Sequence, residues 1–313
     1  MDNPAPEPEN FRKVKHTNQL ETYFYPGLFM DEHMNYTWKD INIGHVQVKV
    51  HGRHGSESAT YAETGQVVWP ASEMLSHYLL HHSHLVQSRS VLELGAGVGL
   101  PGLVAAKLTK EPSSVVLTDQ SEVVLELLQK NTEANFTGDT ESAGCRAVNF
   151  FFFEYHCLQL WKTNDKQRSS PEPMIFNHHL GEVFNTSYKE EDGPKCALLD
   201  WGVDLEEFKK THGTFDLIIG ADIIYWMEQE GMAEPLFQTV SMLLSKKADA
   251  MFLLCHHVRS AEMVQSIRDI ASKFNLLCAE VGKDDLPAAC SDILSNVPLQ
   301  LLTFTPKDAD III

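Results

Sequence analysis

The amino-acid sequence predicts an α/β fold in which a mostly parallel β-sheet carries helices on both faces. From Val67 onward, short apolar segments typical of strands alternate with longer segments whose apolar residues recur at helical spacing. Strands that are separated by helices usually pair in parallel, and the helices then cover the sheet. With 313 residues, 43% of them hydrophobic, the chain can form one large domain with a sizeable core.

The predicted elements follow one another at regular intervals. A hairpin comes first, because residues 36–43 and 45–51 have the composition of strands on either side of Gly44. The predicted strands of the sheet are residues 90–94, 115–118, 215–220, 250–255, 276–281 and 299–304. One predicted helix starts at Pro70, and four others cover residues 100–108, 122–134, 234–244 and 261–274.

Two segments interrupt this pattern. Residues 1–35 form an N-terminal extension, whose Pro- and Glu-rich start we expect to be disordered or loosely docked, and residues 36–313 form the domain. Inside the domain, residues from about 136–196 are too long for an ordinary connection and are interpreted as an insertion. The third strand then lies either near residues 145–149 or at residues 196–200.

Charge and composition narrow the classes of partner. The formal net charge of −18 disfavours direct binding of nucleic acid, because phosphates require cationic surfaces. It suits a basic protein substrate, although it is equally explained by solubility alone. The sequence has no apolar run of about 18 residues and no signal-peptide pattern, so we expect no membrane association and a cytoplasmic location, with the nucleus as an alternative. No feature indicates an oligomeric state.

A glycine-rich turn is the sharpest local motif. The predicted strand that ends at Leu94 runs directly into Gly95-Ala96-Gly97-Val98-Gly99, and a predicted helix follows. Such turns expose backbone N–H groups to a ligand. The next predicted strand leads into Asp119, whose carboxylate can accept ribose hydroxyls. This combination favours a nucleoside-containing cofactor, but the NAD fingerprint needs a glycine where this chain has Leu100.

Three further segments accompany the turn in a fixed order. They are Val68-Trp69-Pro70-Ala71, Leu199-Asp200-Trp201-Gly202 and the segment from Phe215 to Tyr225 that ends in Asp222-Ile223-Ile224-Tyr225. Together with the glycine turn, they closely resemble the seven-β-strand protein lysine methyltransferases of the methyltransferase-like group, over about residues 40–305 apart from the insertion. The resemblance implies a Rossmann-like, seven-stranded sheet with an N-terminal hairpin, and S-adenosylmethionine (SAM) as the cofactor.

The resemblance also assigns roles to individual residues. Gly95, Ala96 and Gly97 would line the methionine part of SAM, Asp119 would bind the ribose, Trp201 would pack on the adenine, Trp69 would close the pocket, and Ala221 would contact the cofactor from the fourth strand. Asp222 and Tyr225 would be the catalytic residues: Asp222 would accept a hydrogen bond from the substrate amine, and Tyr225 would form the wall of its channel. The implied reaction is methylation of lysine in a non-histone protein.

Other functions remain open on the sequence alone. The acceptor could be a histidine, an arginine or a small amine, and a catalytically idle SAM-binding protein is a third possibility. A metal site is not predicted: His77 and His81 have helical spacing, but the only acidic residue nearby is Glu73.

Overall fold

A seven-stranded, mostly parallel sheet forms the centre of the molecule. The computed structural model describes residues 12–15, 21–24, 36–53, 61–136, 193–224 and 230–307. The strands are β1 (Arg12–Lys15), β2 (Glu21–Phe24), β3 (Tyr36–Ile43), β4 (Val46–Arg53), β5 (Val91–Leu94), β6 (Val115–Asp119), β7 (Lys195–Leu198), β8 (Leu217–Ala221), β9 (Met251–His257), β10 (Leu276–Glu280) and β11 (Leu299–Pro306). The helices are α1 (Pro70–His81), α2 (Leu100–Leu108), α3 (Glu122–Phe136), α4 (Leu205–His212), α5 (Glu230–Leu243), α6 (Ala261–Lys273) and α7 (Cys290–Asn296), with short 3-10 turns between them.

The order of the strands confirms the predicted architecture. Across the sheet they run β10-β11-β9-β8-β5-β6-β7, and β11 is antiparallel to both of its neighbours. The pairs from β9 to β7 are parallel. Of the two alternatives for the third strand, the structure has the second, β7, whereas residues 145–149 lie outside the described residues with the rest of 137–192.

Successive residues of the central strands pack on opposite faces, because side chains alternate along a strand. In β8, Leu217 and Ile219 contact the core beneath α1, α2, α3 and the β3–β4 hairpin. Ile218 contacts the core beneath α4, α5 and α6. Helices therefore cover both faces, as predicted.

Several boundaries and elements differ from the prediction. Helix α5 begins at Glu230, earlier than the predicted start at residue 234, and Pro235 lies inside the helix. Helices α4 and α7 have only eight and seven residues, so each is too short for its helical pattern to be recognised in the sequence. Strands β1 and β2 pair within the N-terminal extension, for which the sequence predicted no strands. Among the described residues, no helix is long and apolar enough to cross a membrane.

Two asparagines of α3 attach the β3–β4 hairpin to the domain. The amide of Asn131 accepts a hydrogen bond from His51 N at 2.6 Å and donates to His51 O at 3.1 Å and to Val98 O at 2.9 Å. Asn135 binds Lys49 N at 2.9 Å and Lys49 O at 2.7 Å in the same way. Each amide thus takes the place of a neighbouring strand along the edge of β4, and Asn131 also anchors the end of the glycine turn.

We predict that Asn131→Ala lowers the free energy of unfolding by about 2–3 kcal/mol, because buried backbone groups lose their partners. Asn296→Ala is the control, since the exposed Asn296 also donates to a backbone carbonyl and should cost about 0.5 kcal/mol or less. Urea titration of both variants measures the difference, and equal losses would show that Asn131 does not anchor the hairpin.

Candidate functional site

The turn between β5 and α2 has a left-handed backbone. Gly95 has φ 58° and Gly97 has φ 55°, a region that is unfavourable for residues with a Cβ atom. A Cβ on Gly97 would also lie 3.0 Å from the carbonyl oxygen of Gly65. Ala96 N donates to Thr118 O at 2.8 Å, which ties the turn to β6. The sequence requires glycine here for conformation and for packing at once.

Asp119 lies at the carboxyl end of β6, beside this turn. Its Oδ2 accepts a hydrogen bond from Gly97 N at 3.1 Å, and its Oδ1 accepts one from Ser121 N at 3.0 Å. Burial raises the pKa of this carboxyl above its ordinary value, and the bonds from backbone N–H groups act in the opposite direction. A carboxylate can accept about four hydrogen bonds, and the backbone N–H groups of Gly97, Ser121 and Gln120 already bond to this one, so one acceptor position remains for a ligand hydroxyl.

Trp201 reaches the same turn from a distant part of the chain. A Cβ built on Gly95 would lie 3.6 Å from Trp201 Cζ2 and 2.8 Å from Ile223 Cγ2. Gly202 N donates to Thr239 Oγ1 at 2.9 Å, so α5 holds the Trp201-Gly202 turn in position. The predicted adenine-stacking residue therefore lies against the glycine turn.

Trp69 and Ala221 lie at the same edge of the sheet. Trp69 Nε1 donates to Thr64 O at 2.8 Å, next to the Gly65 that packs on Gly97. Ala221 is the last residue of β8 and pairs with Cys255. The structure thus brings the predicted cofactor residues to the carboxyl ends of β5, β6 and β8, where open α/β sheets bind ligands. Tyr225 lies outside the described residues.

Glu93 supports the turn from below, and sequence reasoning gave it no role. Its carboxyl group is buried and accepts a hydrogen bond from Gly102 N, in the first turn of α2, at 2.9 Å. Burial raises the pKa of Glu93 well above its ordinary value. The residue stands directly before Leu94, and its only signal in the sequence is an acidic side chain at the end of an apolar strand.

Asp222 follows β8 and has φ 51°, an uncommon backbone conformation for this residue type. Its N–H donates to Cys255 O at 2.8 Å, and its side chain is 7% exposed. The carboxylate is not free: Arg259 Nη1 and Nη2 donate to Oδ1 and Oδ2, each at 3.0 Å. His257 N donates to Oδ1 at 3.2 Å. Arg259 is the main residue that sequence reasoning missed, because no motif connects it with Asp222.

His256 lies beneath this pair and is buried. Within the described part of the chain, neither of its ring nitrogens has a hydrogen-bond partner of good geometry. Burial lowers the pKa of this imidazole, while Gln300, its partner across the strand pair, and Asp222 act to raise it. The ring is therefore neutral near pH 7.

Comparison with known proteins gives a family. The family described as "Lysine methyltransferase" matches residues 56–150 and 185–273. Histone-arginine methyltransferase METTL23 of Homo sapiens is 40% identical over 229 residues, which cover 73% of this chain and 88% of that protein. The protein of the same name from Mus musculus is 23% identical over a region that covers 75% of this chain and 69% of the mouse protein. Protein N-lysine methyltransferase METTL21A of Mus musculus is 31% identical over 193 residues, 62% of this chain and 61% of that protein.

We predict that Gly97→Ala weakens the binding of S-adenosylhomocysteine, the demethylated form of SAM, by about tenfold, because the left-handed backbone costs an alanine roughly 1–2 kcal/mol. The new Cβ also pushes against Gly65. Isothermal titration calorimetry measures the affinity.

Gly213→Ala is the matched control. Gly213 has φ 81°, but nothing lies within 4 Å of its Cβ position, and it follows α4 away from the turn. Alanine is also unfavourable at this backbone conformation, which is open almost only to glycine, but the cofactor turn does not move, so the affinity should equal that of the wild type. A Gly97→Ala protein that binds as tightly as Gly213→Ala would contradict the predicted cofactor site.

Proposed function

This chain belongs to the lysine methyltransferase family, and from that membership we propose that it transfers a methyl group from SAM to a lysine side chain of another protein. Membership of this family already makes the chain a SAM-dependent methyltransferase. The relative METTL21A, which is named a protein N-lysine methyltransferase, supports lysine as the acceptor. A protein substrate, rather than a small amine, is the inference that both named relatives favour.

The residues at the carboxyl edge of the sheet fit SAM. The remaining acceptor position of Asp119 suits a ribose hydroxyl, and the half-buried Trp201 ring beside Gly95 suits a purine. We assign the backbone of Gly95, Ala96 and Gly97 to the methionine part, with Trp69 and Ala221 at the borders of the site. When bound, SAM supplies a methyl group attached to a positively charged sulfur.

The position of Asp222 is the observation that carries the proposal. Ile223, the next residue, packs against Gly95 in the cofactor turn, so the Asp222 carboxylate lies one residue away from that contact. A substrate nitrogen that donates to Asp222 would be held close to the cofactor. Orienting two reactants in this way can supply much of a rate enhancement. Tyr225, three residues further on, is proposed as the wall of the same channel.

The chemistry requires a neutral nitrogen. A lysine amine has an ordinary pKa of about 10.4 and is mostly protonated at neutral pH, whereas methyl transfer uses its unshared electron pair. The protein must therefore hold the amine after it has lost a proton to solvent. Activity on lysine should rise with pH, since the neutral fraction rises.

Arginine is the second candidate acceptor. The similarity to METTL23, which is named a histone-arginine methyltransferase, favours it, and the identity to the human protein is higher than that to METTL21A. A guanidinium is a planar group with several N–H donors, which a carboxylate binds through both oxygens. An arginine acceptor would therefore use both oxygens of Asp222, whereas a lysine amine can donate to one of them.

We predict that Asp222→Asn lowers methyl transfer by roughly ten- to a hundredfold, because a charge-assisted hydrogen bond to the acceptor becomes a neutral one. The affinity for S-adenosylhomocysteine should stay nearly unchanged. Calorimetry measures the affinity, and transfer from radiolabelled SAM to lysate protein measures the rate.

Asp216→Asn is the control for this variant. Asp216 immediately precedes β8, as Asp222 immediately follows it, and its buried carboxylate pairs with Lys247 at 2.7 Å. Burial acts to raise the pKa of Asp216, but hydrogen bonds from Lys247 and Ser245 outweigh it and hold the pKa below its ordinary value. The loss of this carboxylate should therefore reduce stability, but transfer by the folded protein should not change. Full transfer by Asp222→Asn would remove this residue from the mechanism.

We predict that incubation of the protein with labelled SAM and heat-treated cell lysate places the label on lysine. Complete hydrolysis followed by amino-acid analysis separates methyllysine from methylarginine and methylhistidine, and mass spectrometry of peptides locates the site. Label found in methylarginine alone would leave the methyltransferase assignment intact and refute lysine as the acceptor.

A further inference from the structure

Asp222, which the sequence predicted to accept a hydrogen bond from the substrate amine, is paired with Arg259 in the structure. The Asp222 side chain is 7% exposed and that of Arg259 is 27% exposed, so the pair is mostly shielded from water. Arg259 Nη1 also lies 3.3 Å from Ile224 O and 3.4 Å from His257 O. The guanidinium therefore connects the segment after β8 with the segment after β9, and it fixes the rotamer of Asp222.

The hydrogen bonds of Asp222 leave little capacity for a substrate. A carboxylate can accept about four hydrogen bonds, two on each oxygen. Oδ1 already accepts from Arg259 Nη1 and from His257 N, and Oδ2 accepts from Arg259 Nη2. Among the bonds between described residues, one acceptor position remains, on Oδ2.

From this geometry we propose that Arg259 is a positioning residue that sets the acceptor specificity of the enzyme. It occupies the two-oxygen face of Asp222 that a substrate guanidinium would need, and it leaves Oδ2 for one N–H of a primary amine. The inference rests on the proposed function, because it explains how an enzyme of this family would select lysine over arginine at this carboxylate.

The charge of Arg259 favours the same outcome. An unpaired carboxylate next to an amine stabilises the protonated, cationic form and so opposes the loss of the proton. Arg259 is always charged and neutralises Asp222, so the pair attracts an ammonium ion less than a lone carboxylate would. Asp222 can then orient a neutral amine without holding it in the unreactive form.

Two substitutions of Arg259 test the proposal. Arg259→Lys keeps the positive charge but replaces the planar guanidinium by a compact ammonium group, which cannot bind both oxygens of Asp222 in the same way and frees part of the carboxylate. Arg259→Gln removes the charge as well. The probe is heat-treated lysate protein with radiolabelled SAM, and the readouts are the rates of formation of methyllysine and methylarginine together with the affinity for S-adenosylhomocysteine.

Arg89→Gln is the matched control. Arg89 also binds a carboxylate and a backbone carbonyl, those of Asp249, but it precedes β5 at the amino ends of the strands. Its loss should reduce stability while kcat, KM and the ratio of the two products stay at the wild-type values.

We expect Arg259→Gln to form methyllysine about tenfold more slowly than the wild type and Arg259→Lys to show a smaller loss, with cofactor affinity unchanged in both. Both variants should raise the ratio of methylarginine to methyllysine. Arg259→Lys should recover part of the rate that Arg259→Gln loses. A rate and a product ratio in Arg259→Lys equal to those of Arg89→Gln would overturn the proposal. An Arg259→Lys protein that fails to fold or to bind S-adenosylhomocysteine would overturn it too, since Arg259 would then serve only the fold.

The wild-type enzyme separates this inference from the proposed function. If the wild type forms methyllysine and the Arg259 variants are unaltered in rate and ratio, only the role of Arg259 fails. If the wild type forms methylarginine alone, lysine is not the acceptor. The paired Asp222 then does not exclude guanidinium groups, and the proposed role of Arg259 is wrong as well.

Discussion

Strand β5 pairs in parallel with β6 on one side and with β8 on the other, and the functional site depends on that pairing. Val91 lies opposite Val115 and opposite Leu217, so the three strands end at the same edge. Every residue of β5 is buried, and the chain that leaves it must turn at once between two neighbouring strands. The glycine turn directly follows β5, Asp119 is the last residue of β6, and Asp222 directly follows β8. The parallel register therefore brings these three groups together.

The core on each face fixes this edge in a different way. On one face, α2 and α3 pack beneath the β3–β4 hairpin, and Asn131 joins the hairpin to Val98 in the glycine turn. On the other face, Thr239 of α5 holds Gly202 and places Trp201 against Gly95. The cofactor turn is therefore held from both sides of the sheet. A ligand at this edge would meet groups whose positions are set by buried contacts, which reduces the entropy that binding must overcome.

The two carboxylates at this edge of the sheet, Asp119 and Asp222, have different electrostatic surroundings. Asp119 is surrounded mostly by neutral groups, and burial raises its pKa, which suits hydroxyl donors that carry no charge. Asp222 is equally sheltered but carries a cationic partner, Arg259. The two carboxylates thus present different electrostatic surfaces. Asp119 is a hydrogen-bond acceptor with no counter-ion among the described residues, whereas Asp222 is part of an ion pair close to neutrality.

The sequence by itself determined the fold class, the sheet strands from β5 onward except β7, and the residues of the glycine turn, because these depend on local periodicity and on motifs of a few adjacent residues. The position of β7 stayed open between two segments until the tertiary structure decided it. The sequence also placed Asp119 and Asp222 correctly at strand ends, since a strand end can be read from the point where an apolar run stops. Only the tertiary structure decided that Asp222 is paired with Arg259, that Asn131 supports the hairpin and that Thr239 positions Trp201. Each of these contacts joins residues more than thirty positions apart, and such a contact exists only where the packing of the sheet and its helices brings two otherwise ordinary polar side chains within hydrogen-bond distance.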